Sequence, residues 1–350
     1  MFSDINIFLL ISLALGFAYG FIAQREQFCF SGGIKDIILF KHTRRTASLI
    51  VAITTTVILT QIASWYFSID FTSTKYYSDV NYLFIIVGGA LFGYGMMISD
   101  GCSSRHLIKM AQGDKESLFI LISLGIFAFA TYKILGLYGT QIYESSFIKL
   151  FQVEHAYQLP ILVLLGFVLF LLVKSIKKCM NIFQTWDGFL IGILVTLGWV
   201  ATYYFYNEML LNETLQSLSF VYPLGKSIEY ITSGFSKEII MMFPVLVMIG
   251  VIVGAFISSK TNPKFSKKQM CDNSYQNPPK LPMKLFGGAC MGVGGITAIG
   301  CTVGQGLSGV STLSLASVLA IGSIYISAYF TAVHMNKKNA LIACFVFHFK

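Results

Sequence analysis

Charged side chains are scarce in this sequence. Asp, Glu, Lys and Arg make up 12% of its 350 residues, whereas a soluble protein of this size usually contains about 25%. Hydrophobic residues reach 55%, and the mean hydropathy is +0.70. A surface with so few charges suits hydrocarbon rather than water. The composition therefore excludes a soluble globular domain and predicts an integral membrane protein.

The motifs that mark common catalytic and metal sites are missing as well. The sequence contains no C-x-x-C, H-E-x-x-H, P-loop or nucleophile-elbow pattern. Its seven cysteines, at positions 29, 102, 179, 271, 290, 301 and 344, are too scattered for a metal cluster or a disulfide scaffold. We therefore expect no metal or other cofactor. The sequence also shows no sodium site, proton-relay carboxylate or ATP-binding element, so the energy source stays open.

Long apolar segments are present instead. A membrane-spanning helix needs about 17–25 such residues, and nine segments qualify: 5–23, 48–67, 82–98, 118–138, 159–174, 188–206, 239–258, 283–299 and 314–334. The fifth is short and the eighth is rich in glycine. These segments predict an all-α polytopic membrane protein with about nine transmembrane helices.

The loops between these segments alternate in charge. Lys and Arg concentrate after the first, third, fifth, seventh and ninth spans, for example in "KHTRR" (41–45) and in 260–280. Because basic residues accumulate on the cytoplasmic side, we predict that the N-terminus lies outside and the C-terminus inside. The net charge of +9 is thereby explained by a lipid bilayer, and no nucleic-acid partner is expected.

Two glycine-rich stretches recur in register. Gly93, Gly95, Gly101 and Cys102 are matched by the same residue types 199 positions later, where Cys301 is the counterpart of Cys102. The first stretch follows a span that runs inward and the second a span that runs outward, so the repeat is inverted, as in many transporters. We predict one transporter domain, 1–350, with pseudo-repeats of about 1–140 and 186–338 and a linker span at 159–174.

The two Gly-Cys pairs predict breaks within the membrane. Glycine adopts backbone conformations that other residues avoid, and irregular backbone at membrane depth is tolerated where it lines a cavity. We therefore predict re-entrant half-helices after Cys102 and Cys301, with N-termini that favour an anion. A third half-helix is expected in 24–40, where Cys29 precedes small residues. Its repeat partner, 218–231, has no cysteine.

The three cysteines suit a sulfur-bearing anion. A thiol is a weak donor and a soft, polarisable group, and burial in apolar surroundings keeps it neutral. Thiosulfate offers charge to the helix N-termini and a soft terminal sulfur to the thiols, although other sulfur and selenium species fit the same argument. The remaining cysteines, 179, 271, 290 and 344, are interpreted as residues without a role.

Charged residues surround the middle cysteine. Arg105 and Lys109 are four residues apart, on one face of a short helix. They either attract anions or only anchor the helix at the cytoplasmic surface. His106 is expected at the membrane interface, and Asp100 is expected to cap the half-helix, because Asp is a favoured N-cap.

Three blocks carry a resemblance to a known family. They are "QREQFCFSGGIKD" (24–36), "GCSSRHLIKMAQGD" (101–114) and "GCTVGQGLSGVSTLS" (300–314). With these blocks in this order, the chain resembles the YeeE/YedE family of bacterial membrane proteins, whose characterised members take up thiosulfate.

The resemblance implies a fold and a site. It implies a nine-span bacterial membrane protein with extra short helices and pseudo-symmetric halves, in which cysteine thiols line a narrow central path. In some genomes a small cytoplasmic sulfur-carrier protein is a partner. The expected substrate-binding residues are Cys29, Gly32, Gly33, Gly101, Cys102, Arg105, Gly300, Cys301, Gly304 and Gln305.

Two other functions compete with uptake of thiosulfate. A membrane sulfurtransferase would form a persulfide on Cys102 or Cys301, which needs a thiolate activated by a basic neighbour. Cys102 has Arg105 nearby, but Cys301 has only Gly, Thr, Val and Gln around it, and this asymmetry favours transport. A purely structural membrane protein has no reason for paired Gly-Cys breaks. The sequence therefore predicts a permease and not an enzyme.

Overall fold

The computed structural model describes residues 2–143, 151–160, 166, 185–209, 215–234, 242–261 and 279–341. Most of the predicted fifth span, 159–174, lies outside these residues. The same holds for Cys179, Cys271 and Cys344, and for most of the basic loop after the seventh span.

Helices account for most of the described chain. In chain order they are α1 (Phe2–Arg25), α2 (Phe30–Phe40), α3 (Arg44–Phe67), α4 (Tyr82–Ile98), α5 (Ser103–Ala111), α6 (Lys115–Tyr143), α7 (Trp186–Met209), α8 (Val221–Thr232), α9 (Phe243–Thr261), α10 (Leu281–Thr297) and α11 (Leu315–Lys337). A further helix covers 302–311, and its central part, Gly304–Gly309, is π-helical. The strands β1 (Ser78–Asn81) and β2 (Gln152–His155) form a small antiparallel ribbon.

Within the described residues, seven segments are long and apolar enough to cross a bilayer. They are Asn6–Phe40, Arg44–Phe67, Tyr82–Ala111, Lys115–Leu137, Trp186–Phe205, Phe243–Thr261 and Leu315–Lys337. Helix α10, with 17 residues, corresponds to the predicted eighth span. The predicted all-α, polytopic membrane fold is therefore confirmed. The total of nine spans stays a prediction, since the fifth lies outside the described residues.

Glycines allow the long helices to pack closely. A Cβ atom on Gly16 of α1 would lie 2.0 Å from the carbonyl oxygen of Val247 in α9. Such small residues let helix backbones approach within a membrane, where packing replaces the hydrophobic effect between helices. In the pair α4–α10, Gly88 faces Thr297 and Gly95 faces Gly287, so these two helices run antiparallel.

The order of helices is the same in both halves of the chain. Each half has a long helix, a short helix, a long helix, a helix of 17 residues, another short helix and a final long helix. Helices α4 and α10 begin 199 positions apart and end 199 positions apart. An inverted repeat requires the antiparallel packing of this pair, and the repeat itself stays a prediction.

The bundle has two ends that matter for the site. The segment 68–81 joins α3 to α4 at one end, which we call the 68–81 end. The residues after α4 lie toward the other, which we call the 99–114 end. The helix 302–311 leads to the 68–81 end, where Thr312 accepts a hydrogen bond from the Tyr77 hydroxyl, 2.5 Å away. Helix α5 leads to the 99–114 end.

Candidate functional site

Each of the three predicted site cysteines lies at the start of a short helix. Cys29 is the N-cap of α2 and Cys102 is the N-cap of α5, while Cys301 directly precedes the helix 302–311. The amide of Gly32 donates to the Cys29 sulfur over 3.3 Å, and the amide of Gly304 donates to the Cys301 sulfur over the same distance. The predicted short half-helices after Cys102 and Cys301 are therefore present.

A strained residue precedes each cysteine by two positions. Gln27, Asp100 and Ile299 have φ angles of 58°, 67° and 60°, in the left-handed region that residues other than glycine seldom adopt. For the β-branched Ile299 this conformation is an outlier. Such strain persists only where the surrounding structure imposes it, and it is frequent at functional sites. The three turns share one backbone conformation, and each leads into a short helix that begins at a cysteine.

The glycines of the Gly-Cys pairs have a different role from the predicted one. The sequence assigned the unusual backbone to Gly101 and Gly300, but the positive φ angles fall on the preceding residues. The glycines instead leave space. A Cβ atom on Gly101 would lie 3.1 Å from Cγ of Arg105, and one on Gly300 would lie 3.2 Å from Cγ of Gln305.

The three thiols converge inside the bundle. The Cys29 and Cys102 side chains are neighbours, and the Tyr19 side chain of α1 lies near Cys29, Cys102 and Cys301. The Tyr19 side chain also lies beside Ser104. The exposed fractions of the three cysteines are 6%, 1% and 0%. The helix N-termini therefore meet within protein rather than against lipid.

Hydroxyl groups accompany the two cysteines on the 99–114 side. The Cys29 sulfur lies 3.1 Å from Oγ of Ser31, and the Cys102 sulfur lies 3.3 Å from Oγ of Ser104. Cys290 is also buried and free, but it lies in the middle of α10.

The other predicted site residues surround these thiols. A Cβ atom on Gly32 would lie 2.9 Å from Nη1 of Arg45, and one on Gly33 would lie 3.1 Å from Oγ1 of Thr46. Nε2 of Gln305 donates to the carbonyl of Ala298 over 2.5 Å.

Basic side chains lie on the 99–114 side of the thiols. Arg105 is buried, with 5% exposure, and interacts electrostatically with Cys29 and Arg45. Lys109 is buried to a similar degree, at 4% exposure. Neither side chain reaches the surface, which argues against the interpretation that they only anchor the helix at the cytoplasmic interface.

Asp100 has a different partner from the one that the sequence predicted. Its carboxylate forms ion pairs with Lys35 and with Lys109, whose Nζ is 2.5 Å from Oδ2. Cys102, not Asp100, is the N-cap of α5. Two lysines thus neutralise the acid that lies two residues before Cys102.

The interfacial position predicted for His106 is also wrong. Its side chain is 1% exposed, and its Nδ1 lies 3.0 Å from Oγ of Ser117. The imidazole therefore belongs to the buried polar network behind α5.

A fourth helix N-terminus joins the same region. Ser219 and Phe220 precede α8, and the Phe220 ring packs on Tyr19 with centroids 5.2 Å apart. The Ser219 hydroxyl is buried and has no hydrogen-bond partner among the described residues. A Cβ atom on Gly304 would lie 2.9 Å from that hydroxyl and 3.7 Å from the Cys301 sulfur. Ser219 therefore lies one residue before the N-cap of α8, beside a space that glycine leaves open.

Lys75, in the segment 68–81, is a further residue that sequence reasoning missed. Its Nζ lies 5.5 Å from the ring centroid of Tyr76 and 5.6 Å from that of Tyr222, and it interacts electrostatically with Cys301. Burial lowers the pKa of Lys75 to about 8. The hydroxyl of Tyr76 donates to the Gly304 carbonyl over 2.9 Å, so this segment is tied directly to the Cys301 helix.

Comparison with known proteins bears on these observations. The family model for sulphur transport matches residues 25–330, which include all three cysteine turns. The chain belongs to this sulphur transport family. The predicted relationship to YeeE/YedE proteins is thereby confirmed.

Two relatives of this chain share one name. The chain is 24% identical over 326 residues to the thiosulfate transporter TsuA of Spirochaeta thermophila, an alignment that covers 88% of this chain and 93% of the relative. It is 23% identical over 362 aligned positions to the thiosulfate transporter TsuA of Escherichia coli, covering 95% and 97%. Both are named as transporters, so the family supports the prediction of a transporter and not an enzyme.

Proposed function

We propose that this protein is a thiosulfate permease of the bacterial inner membrane. The observation that carries the proposal is the convergence of three cysteine-capped helix N-termini around Tyr19. Helix N-termini present unpaired amides and partial positive charge, which favour an anion. The soft thiols complement a terminal sulfur that sulfate does not have.

The residues define an order along the path. From the 68–81 end it runs past Lys75 to Cys301, then past Tyr19 to Cys102 and Cys29, and finally to the arginines. Cations thus stand on both sides of a neutral, sulfur-lined centre. A conduction site must release what it binds, and S–H groups are weak donors, so the centre holds the anion only loosely.

The orientation and the repeat are parts of the same proposal. With the N-terminus outside and the C-terminus cytoplasmic, the 68–81 end faces outward and thiosulfate enters beside Lys75. The inverted pseudo-repeats, about 1–140 and 186–338, then bring half-helices from both sides of the membrane to one centre. A small cytoplasmic sulfur-carrier protein would receive the ion at the 99–114 end.

Uptake by purified protein tests the function. Proteoliposomes that contain the protein are expected to accumulate radiolabelled thiosulfate. Unlabelled thiosulfate should compete with this uptake, whereas the same concentration of sulfate should not. Sulfite and selenite serve as further competitors, since another sulfur or selenium species is the main alternative substrate. Failure of monodisperse, correctly inserted protein to move thiosulfate above empty liposomes would contradict the proposal.

The buried hydroxyl of Ser219 gives a separate prediction. A lost hydrogen bond to a charged ligand costs about 1.5–3 kcal/mol, so Ser219→Ala is expected to lower thiosulfate uptake by roughly tenfold or more. Ser219→Cys keeps a donor and is expected to retain much of the flux. Ser227→Ala is the matched control, because the Ser227 hydroxyl is in the same helix and bonds the carbonyl of Pro223. Equal uptake by the Ser219→Ala and Ser227→Ala variants would exclude Ser219 from the path.

A further inference from the structure

Two acidic side chains share one arginine at the 99–114 end. Nη2 of Arg44, the first residue of α3, lies 3.0 Å from Oε2 of Glu26 and 3.7 Å from Oδ1 of Asp187. Asp100 shows the opposite arrangement, because it is one acid between two lysines. If Glu26 and Asp187 were both ionised, the three side chains would hold two negative charges and one positive charge.

The Asp187 carboxyl group has the poorer contacts of the two. It is 0% exposed, and neither of its oxygens has a hydrogen-bond partner among the described residues. The Ser48 side chain of α3 lies beside it, and this hydroxyl is also buried without a partner in the described part of the chain. A buried carboxylate without hydrogen bonds is costly, so such a group takes up a proton instead. The protonated form has a donor as well as an acceptor, which suits the adjacent hydroxyl.

The position of Asp187 at a helix start does not reverse this balance. Asp187 lies in the first turn of α7, where the helix N-terminus favours a negative charge. That effect is smaller than the cost of burying a carboxylate without hydrogen bonds. Arg44 also has other bonds to make, since its Nη1 donates to the Glu26 carbonyl over 2.7 Å and its Nη2 donates to the Glu26 carboxylate. This geometry is the one expected when Asp187 is neutral.

The same arginine holds the turn that precedes Cys29. Arg44 bonds the backbone of Glu26, and Nη2 of Arg45 donates to Oε1 of Gln27 over 2.6 Å. Gln27 has the strained φ of 58° two residues before Cys29. Two consecutive arginines of α3 therefore fix the segment that presents the Cys29 thiol. A charged Asp187 would compete with Glu26 for Arg44 and weaken this hold.

We propose that Asp187 is a proton-binding site, and that its protonation accompanies the binding of thiosulfate at the three thiols. This inference rests on the proposed function, because it adds a proton to the same binding step. The proton comes from the solution at the 99–114 end, where Glu26 is partly exposed, and bonds to a carboxylate oxygen of Asp187. One negative charge is thereby removed from the exit side of the path, and Arg44 is left to Glu26. Both effects favour a bound dianion, and the bound dianion favours the proton to the same extent.

The surroundings of Asp187 determine how binding responds to pH. The described helices that pack most closely on α7 are α1, α3 and the helix 302–311. Arg44 and Ser48 face Asp187 from α3, Glu26 follows α1, and the helix 302–311 contains no ionisable side chain. Thiosulfate itself stays a dianion at neutral pH. The thiosulfate concentration for half-maximal uptake is therefore expected to rise as the pH rises and Asp187 loses its proton.

Proton uptake by the purified protein tests the site. Thiosulfate is added to the parent protein in weakly buffered detergent solution with a pH indicator, at several pH values between 6 and 8, and the same addition of sulfate is the blank. The parent is expected to take up as much as about one proton per bound ion. Asp187→Asn is neutral at every pH and should take up none.

Uptake into proteoliposomes gives the second readout. Between pH 6 and pH 8 the half-maximal thiosulfate concentration of the parent is expected to rise by about threefold or more, whereas that of Asp187→Asn should stay constant. Glu116→Gln is the matched control and should keep the parental profile. It removes an exposed carboxylate at the same end of the bundle, which pairs with Lys284.

The readouts separate this inference from the proposed function. If the parent does not transport thiosulfate, the proposed function fails. If the parent transports it but takes up no proton on binding it at any of these pH values, the proton site is wrong and the permease proposal stands. That result needs only the parent, so it decides the question even where Asp187→Asn does not fold. Equal proton uptake by Asp187→Asn and the parent would assign the proton to another group and also overturn the inference.

Discussion

Replacing Cys102 by alanine is expected to reduce thiosulfate uptake by roughly tenfold or more, the effect of losing about 1.5 kcal/mol, the lower end of the range for a hydrogen bond to a charged ligand. The Cys102 thiol is the N-cap of α5, neighbours Cys29 and interacts with Tyr19. It therefore lies at the centre of the converging half-helices. Alanine keeps the helix start but removes the thiol that we propose contacts the ion.

Serine at the same position distinguishes transport from catalysis. The hydroxyl of Cys102→Ser still donates a hydrogen bond, so a permease is expected to keep part of its flux. A sulfurtransferase that forms a persulfide would lose all activity, because serine provides no nucleophilic sulfur. Cys290→Ala is the control, since Cys290 is equally free and buried but lies within α10.

The corresponding alanine variants of Cys29 and Cys301 complete this test. Each is expected to lower uptake strongly. The effect of the Cys301 variant on uptake should be independent of the effects of the Cys29 and Cys102 variants, because Cys301 lies on the 68–81 side. Uptake equal to the parent in all three alanine variants would show that the thiols are only buried small hydrophobes.

The second large effect is expected on stability. Replacing Asp100 by asparagine leaves Lys35 and Lys109 buried without their common counterion. Breaking a buried ion pair by removing one partner typically costs about 3–5 kcal/mol. The unfolding temperature of Asp100→Asn in detergent should therefore fall by many degrees, and expression in the membrane should drop.

Asparagine is the informative replacement at this position. The residue has a φ of 67°, and Asn tolerates the left-handed conformation as well as Asp does. The change therefore removes the charge and keeps the turn. Asp70→Asn is the control, because Asp70 is an exposed N-cap that bonds the amide of Thr72. A melting temperature for Asp100→Asn as high as that of Asp70→Asn would show that the lysines need no counterion.

Hydropathy and repetition predicted most of the fold. A bilayer selects for long apolar helices, so the spans could be located from the runs of apolar residues in the sequence. Helices α4 and α10 follow the predicted spacing of 199. The Gly-Cys pairs correctly marked where α5 and the helix 302–311 begin. These features are local in the chain, which is why a single sequence contains them.

Contacts between distant segments could not be predicted in this way. Lys35 and Asp100 are 65 positions apart, and nothing in the sequence pairs them. Lys75 is surrounded by residues from three separate parts of the chain, in a loop whose charges gave no pattern. Ser219 differs, because it lies in 218–231, the segment that the sequence predicted as the repeat partner of the Cys29 segment, although the sequence did not single out Ser219 itself.

The central claim is that thiosulfate passes between the three thiols, and a structure with selenosulfate tests it most directly. In this ion selenium replaces the terminal sulfur, so its anomalous signal marks the end of the ion that should contact the cysteines. We predict a selenium peak among Cys29, Cys102 and Cys301, with the oxygens toward the helix amides. A selenium peak elsewhere in a protein that transports the ion, with these three thiols untouched, would contradict the account.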